Sequence, residues 1–289
     1  MIHPTAIIEK DVILQEPVDI GAYVVIEKGV KIGKNATICP YVHISGNTTI
    51  GDNNFIGTGS IIGQMPQILG RKENLGKLYI GDNNVIREYV TIHTSSSPDN
   101  ATTIGNNNYF MAFSHIAHDC RVTNNVVICN GSLIAGHVQI DDSAFISGNV
   151  VVHQFVRIGR LAMIGGLSRV NQDVLPFMLL VGDSKIWGLN LVGLKRKGFS
   201  SNEIAHIKKA FNIIYRSKLP LKSAVQSLKN IPSKYVEEII EFILSSKRGI
   251  CGPHKSTFFE KLFLDYPYLF FIKIPTYKFF IKYHKKSIC

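Results

Sequence analysis

The sequence predicts an all-β solenoid of short strands followed by a small α-helical domain, and three observations carry that prediction. First, an aliphatic or aromatic residue recurs at every sixth position, at Ile2, Ile8, Leu14, Ile20, Ile26, Ile32, Ile38, Ile44, Ile50, Ile56 and Ile62. The run resumes at Ile80, Ile86 and Ile92, and again from Ile104 through Phe110, Ile116, Val122, Ile128 and Ile134 to Val170. Second, the gaps from Ile62 to Ile80 and from Ile92 to Ile104 are whole multiples of six, so the phase never slips. Third, the period stops beyond about residue 175, and helical periods appear near 201–217, 220–230 and 233–247. A helix requires a period of about 3.6 and an ordinary strand about 2. A fixed period of six instead marks stacked units that bury their apolar faces only against neighbours.

Within each unit the residue four past the anchor is small or β-branched, as in Val12, Val18, Val24, Val30, Ala36 and Val42. Glycine often follows the anchor directly, as at Gly21, Gly33, Gly51, Gly57, Gly81, Gly105 and Gly159, with Asp or Asn soon after. Those residue types tolerate positive φ, so turns are expected there. Two excursions, 63–79 and 94–103, leave the pattern; on a rigid solenoid such segments tend to fall on one face and carry binding residues. Ser200 or Ser201 can cap the first helix, and Pro220 fits the first turn of the second.

This pattern resembles the hexapeptide-repeat proteins, in which three hexads make one triangular coil. The resemblance implies an all-β left-handed parallel β-helix of about ten coils, followed by a small α-helical C-terminal domain. Its left hand comes from the resemblance, since the usual crossover rule predicts the opposite. The expected organisation is a β-helix over 1–185, a helical domain over 186–250 and a basic aromatic tail over 251–289.

Composition narrows the partners. Hydrophobic residues at 45% and charged residues at 18% exclude a disordered chain. No stretch reaches the length of a spanning apolar helix, and the N-terminus enters the repeat at once, so neither a membrane span nor a signal peptide is expected. Five scattered cysteines without a C-x-x-C pair point to reduced thiols in the cytoplasm. The net charge of +11 is uneven. Residues 1–185 hold 13 Lys and Arg against 15 Asp and Glu, whereas residues 186–289 hold 19 against 6. The C-terminal third should therefore steer acidic partners, such as a nucleotide diphosphate, an acidic carrier protein or an anionic membrane surface. Nucleic acid is not expected, because no aromatic-basic binding module is visible. For the tail, a packed appendage competes with weak contact of 257–289 with membrane lipid.

Histidines concentrate where the solenoid is most interrupted: His93, His115, His118, His137 and His153. Positions three hexads apart stack in neighbouring coils, which places Asp119 beside His137 and Gly136 beside His118. A glycine over an imidazole leaves space and exposes a backbone N–H, an arrangement suited to general-base attack on a carbonyl.

The strings Ile86-Arg-Glu-Tyr-Val-Thr-Ile-His93, His115-Ile-Ala-His-Asp-Cys120, Leu133-Ile-Ala-Gly-His-Val138, Val152-His-Gln-Phe155 and Asn190-Leu-Val-Gly-Leu-Lys-Arg-Lys-Gly-Phe199 make the resemblance specific. Over roughly residues 1–250 the chain resembles the UDP-N-acetylglucosamine acyltransferases of lipid A synthesis, found in Gram-negative-type bacteria. That resemblance implies direct transfer of a 3-hydroxyacyl group from acyl carrier protein to the 3-position of a UDP-linked glucosamine. The co-substrate is acyl-ACP, a phosphopantetheine thioester, and no bound cofactor or metal is expected. By motif, His118 would be the general base, Asp119 would set its electrostatics, and the Gly136 N–H would stabilise the oxyanion. Gln67, His93, His115, His137, His153 and Gln154 would line the substrate path, and Asn190 and Arg196 would hold the nucleotide. Met163 and Gly166 would form the acyl-chain ruler, with the small Gly166 leaving the groove long enough for a long 3-hydroxyacyl chain. A homotrimer with clefts between protomers is also implied.

The sequence departs from that family at the first excursion. Ile68 replaces a usual aspartate near the sugar, Gly70 replaces a polar residue, and Val192 stands where many members carry glutamate. The Leu191-Val192 pair resembles members that acylate a 3-amino sugar, so N-acylation competes with ester formation. A zinc hydratase built on His115, His118 and His137, and an inactive paralogue, are the further competing readings.

Overall fold

The computed structural model describes residues 1–70, 73 and 76–254. Its body is a left-handed parallel β-helix with three flat faces. The faces are sheets of 9, 8 and 11 strands, parallel throughout the β-helix, with most strands two residues long. Each anchor turns inward and stacks on its counterpart, as Ile8 pairs with Ile26 and Ile26 with Ile44. Ile26, Ile44, Ile56, Ile86, Ile116 and Ile146 are fully buried, and so are the second-row residues Val24, Val30, Val90 and Val138. At the N-terminal end Ile2 is 43% exposed, because the first coil has no neighbour beneath it.

The corners divide between two residue types, and this corrects the expectation for glycine. Positive φ falls at the third position past the anchor and is taken by Asn35, Tyr41, Asn53, Asn83, Asp119, Asn125, His137 and Phe155. The glycines that follow the anchor are needed for space instead. A Cβ on Gly33 would lie 2.5 Å from the Gly51 carbonyl carbon, and one on Gly21 would lie 2.7 Å from the Pro40 nitrogen. Side-chain ladders tie the coils together at these turns. Inside, Asn54 accepts from the Asn84 N–H at 2.9 Å, Asn84 from Asn108 at 2.9 Å, and Asn108 from Val126 at 2.8 Å.

Both excursions leave the same corner, between the 9-stranded and 8-stranded sheets. The first runs between strands Ile61–Gln64 and Lys77–Ile80, and the second between Thr91–His93 and Ala101–Ile104. An ordinary coil sets Ile7 against Val25. Across the first excursion Ile61 pairs instead with Thr91, and across the second Thr91 pairs with His115. A coil of three hexads has thus gained two hexads and then one; the anchors stay in phase, with a register shift confined to Ile62–Gln64.

The 11-stranded sheet continues through an antiparallel hairpin, Met178–Val181 with Lys185–Leu189, and Gly252–Pro253 pairs alongside it. Between them lie α1 (Leu191–Arg196), α2 (Ser201–Tyr215), α3 (Leu221–Leu228) and α4 (Lys234–Leu244). Ser200 forms a capping box with Glu203 at α2, and Pro220 takes the N-cap position of α3. The helices dock on the last coils through cations. Arg160 makes a fork to Glu238 at 3.0 and 2.6 Å with Phe177 4.9 Å away, and Arg157 lies 3.9 Å over the Phe242 ring. Residues 1–253 form one compact unit. No helix among the described residues is long and apolar enough to cross a membrane. The tail reading, 257–289, lies outside the described residues.

The stacking argument predicts opposite results for two glycines. Gly33→Ala forces a Cβ against the Gly51 backbone and should destabilise the protein by about 1–3 kcal/mol. Gly252→Ala meets nothing within 4 Å and should leave the thermal midpoint unchanged. Calorimetry of both variants checks this.

Candidate active site

The corner carrying both excursions is also where the histidines gather. His115 opens the strand His115–Ile116, and His118 and Asp119 form the corner that follows it. One coil later the same corner holds Gly136 and His137, and one coil further His153, Gln154 and Phe155. Asp119, His137 and Phe155 all take left-handed φ, near 59°, 63° and 65°, so their side chains rise from equivalent points on the edge. The His137 N–H donates to the His118 carbonyl at 3.0 Å, which fixes the two coils against each other. The stacking expected from the sequence is present. A Cβ on Gly136 would lie 2.6 Å from His118 Cε1 and 2.7 Å from Nε2, so the imidazole occupies the space that the glycine leaves.

His118 Nδ1 lies 2.7 Å from Asp119 Oδ2. Asp119 is 7% exposed at its side chain and also accepts from Ser95 Oγ on Oδ1 and from the Ser96 N–H at 3.1 Å on Oδ2. Burial favours the neutral acid, but the hydrogen bonds from Ser95, Ser96 and His118 outweigh it and hold the carboxyl at about 2. An ionised carboxylate can only accept, so the proton between the two residues sits on His118 Nδ1 and Nε2 carries the free lone pair. His137 Nε2 is 3.6 Å from the same carboxylate oxygen, and its ring stacks flat on Phe155 with centroids 4.4 Å apart.

His93 and His115 form a second layer, edge to face at 4.7 Å. His115 Nδ1 bonds Thr91 Oγ1 at 2.7 Å, whereas the buried Nδ1 of His93 has no partner among the described residues. Burial, together with the nearby His115 and His118, pushes His93 down to about 4; burial and His118 also lower His115. Both are neutral at pH 7, so they add no charge that would oppose protonation of His118.

The other expected residues fall in four places. Gln67 is exposed on the first excursion beside Ile68, which is 40% exposed. His153 and Gln154 are exposed on the active corner, with His153 Nδ1 donating to the Gln154 carbonyl at 3.3 Å. Met163 and Gly166 sit on a different face and corner, and the chain does not bring them to His118; around Gly166 a Cβ would meet only the Gly148 oxygen at 3.5 Å and Ser147 at 3.9 Å. Asn190 is committed to structure: its Oδ1 caps α1 by accepting from the Gly193 N–H at 2.9 Å, and its Nδ2 donates to the Leu161 carbonyl at 2.9 Å. Arg196 is exposed in the last turn of α1. Sequence reasoning missed Thr91, Ser95 and Ser96. The doubled gap between Ile92 and Ile104 held the signal. It lengthens that coil to four hexads, and so sets Thr91 beside His115 and Ser95 beside Asp119.

The histidines of the zinc reading do not converge. The residues whose donor atoms fall within 4.8 Å of one another are His118, Asp119 and His137, while His115 is turned to Thr91. The Asp119 oxygens already take hydrogen bonds from Ser95, Ser96 and His118. The arrangement is an imidazole held by a buried carboxylate beneath a glycine.

For His93 the protein disfavours the charged form, so stability is complete above pH 6.5 and is lost as pH falls from 6.5 toward 4. The loss should reach about 3 kcal/mol at pH 4. His93→Gln should flatten that part of the stability profile, as followed by denaturant titration at a series of pH values.

Comparison with known proteins agrees with this geometry. Residues 29–64 and 101–136 match the family described as bacterial transferase hexapeptide (six repeats). Residues 173–251 match that described as Udp N-acetylglucosamine O-acyltransferase, Domain 2. A Thermodesulfovibrio yellowstonii protein named acyl-(acyl-carrier-protein)–UDP-N-acetylglucosamine O-acyltransferase is 47% identical, over 86% of this chain and 98% of its own. A Burkholderia orbicola protein of the same name is 42% identical, over 86% and 98%. The crystal structure of Francisella novicida UDP-N-acetylglucosamine acyltransferase superposes with a TM-score of 0.85 at 37% identity, over 87% of this chain and 94% of that one. With a hexapeptide β-helix, a matching helical domain and relatives aligned over nearly their whole length, the chain belongs to the acyl-(acyl-carrier-protein)–UDP-N-acetylglucosamine O-acyltransferase family and is an acyltransferase.

Proposed function

We propose that the protein transfers a 3-hydroxyacyl chain from acyl carrier protein to the 3-hydroxyl of UDP-N-acetylglucosamine, the opening step of lipid A synthesis, with His118 as general base. The observation that carries the reading is the His118–Asp119 pair at 2.7 Å under Gly136. His118 Nε2 takes the proton of the sugar 3-hydroxyl as its oxygen attacks the thioester carbonyl carbon. The negative charge that develops on the carbonyl oxygen is stabilised by the Gly136 N–H, and the ionised Asp119 stabilises the imidazolium. The C–S bond then breaks, and the imidazolium returns its proton to the pantetheine sulfur. Transfer is direct: the neighbouring thiol, Cys120, is fully buried and pushed up by burial to about 12, which makes it a poor nucleophile.

His93, His115, His137, His153, Gln154 and Gln67 would line the donor and sugar paths on this corner, with Arg196 available to a phosphate. Acyl carrier protein is the donor in this reading, and the positive C-terminal third supplies a charge complement for an acidic carrier. A homotrimer belongs to the same reading. Tyr23 stacks on Tyr41 and Tyr89 on Phe113 along one edge, all more than half exposed, with Leu167 at 80% on the same edge. Such an apolar stripe suits contact with another protomer, across which Gly166 could reach a neighbouring site.

A second reading, N-acylation of a UDP-3-amino sugar, is supported by the first excursion. Ile68 and Gly70 present no carboxylate there, and a Cβ on Gly70 would meet nothing within 4 Å. Mass spectrometry of products from 3-hydroxyacyl carrier protein with UDP-N-acetylglucosamine or its 3-amino analogue separates the two. An ester product from the first acceptor at the higher kcat/KM is expected; preference for the amine establishes the second reading. His118→Gln should lower kcat at least about a hundredfold. Gly136→Ala should reproduce most of that loss with the imidazole still present, because its Cβ displaces the ring. Normal turnover in both variants would exclude His118 as the base.

A further inference from the structure

Asp119 is held from outside its own coil. Ser95 donates to its Oδ1, the Ser96 N–H donates to its Oδ2, and Thr102 Oγ1 accepts its backbone N–H at 2.8 Å. Ser95 and Ser96 belong to the second excursion, and Thr102 lies on the strand that closes it. The excursion is itself fixed against the first. The Thr94 N–H donates to the Gln64 carbonyl and the Ser95 N–H to the Lys77 carbonyl, both at 3.0 Å. A Cβ on Gly76 would lie 1.8 Å from the Ser95 oxygen, so no side chain fits where the first excursion closes over Ser95. Ser95 is fully buried. Its Oγ accepts from the Ser97 N–H at 3.1 Å, which leaves the hydroxyl proton to point at Asp119.

We propose that Ser95 is a positioning residue of the acyl-transfer reaction. It locks the Asp119 carboxylate in the orientation that occupies His118 Nδ1 and presents Nε2 to the acceptor. The proposal rests on His118 being the base. Without the Ser95 hydroxyl the carboxylate is no longer held in one orientation about its own bond, so the ring plane of His118 is less firmly set although the two stay paired. The charge that Ser95 had shared then falls on the imidazole. The groups facing His118 are Asp119 on its own corner, His137 on the next coil, and His93 and His115 on the strands behind it. Of these, Asp119 is the anion whose environment Ser95 changes.

The test is steady-state kinetics across pH on the full-length protein, with acyl carrier protein thioester and UDP-N-acetylglucosamine. Ser95→Ala should lower kcat roughly ten- to a hundredfold, with the KM for the sugar nucleotide changed less than about twofold. The acidic limb of the pH profile should move up by roughly half to one pH unit. Ser95→Thr should restore both, and Ser95→Cys, which keeps the volume with a weaker donor, should fall between and decides the matter if the alanine variant does not fold. In an Asp119→Asn background, Ser95→Ala should cost less than about twofold. Wild-type kcat and pH limb in Ser95→Ala or Ser95→Cys, with only a lowered thermal midpoint, would overturn the proposal. If His118→Gln keeps its turnover, the base assignment fails first; loss in His118→Gln with normal Ser95 variants overturns the positioning role alone.

Discussion

The β-helix and its site depend on one constraint: each coil hydrogen-bonds to the next in parallel, with the anchors in register. Most strands are two residues long and could not persist alone, so their geometry is imposed by the coils on either side. That register converts distance along the chain into position in space. The bond from the His137 N–H to the His118 carbonyl is one rung of the ladder, and it brings an imidazole, a carboxylate and a glycine from two coils to one edge. In the proposed reaction these groups are preorganised by the same backbone bonds that hold the fold.

The two excursions work because they respect the register. Adding two hexads and then one at a single corner leaves every anchor inside and every turn residue on its edge. What they add is polar chain beside the histidines. The second reaches Asp119 through Ser95 and Ser96, while the first braces it with Gln64, Lys77 and Gly76. A corner otherwise occupied by a tight turn thus becomes a walled site. Ile68 and Gly70, where the sequence departs from the pattern that the resemblance implies, are exposed on the first excursion.

Most of the fold was legible because its cause is periodic and local. An anchor at every sixth position has one stable solution, and the helices carried their own signals in Ser200, Glu203 and Pro220. Handedness was not in the residues; it came through resemblance. The glycine reading failed for a physical reason: sequence shows that a residue is small, not whether it is small for φ or for space. Asn190 carries a similar ambiguity. Asn-x-x-Gly is a cap signal as well as a ligand signal, and here its oxygen is spent on the Gly193 N–H. The His118–Asp119–Gly136–His137 group was legible with a ruler of three hexads. Ser95 and Thr91 were not, because the ruler stretches to four hexads across the second excursion.

The central claim is that this register fixes His118 in the tautomer protonated on Nδ1, which leaves Nε2 free to act as the base. Nitrogen-15 NMR of the histidine ring, at a pH above its titration, reads that tautomer directly. The account predicts a pyridine-like Nε2 and a protonated, hydrogen-bonded Nδ1 for His118, both lost in Asp119→Asn. A protonated Nε2 in the wild-type protein, or a tautomer unchanged by Asp119→Asn, would contradict it.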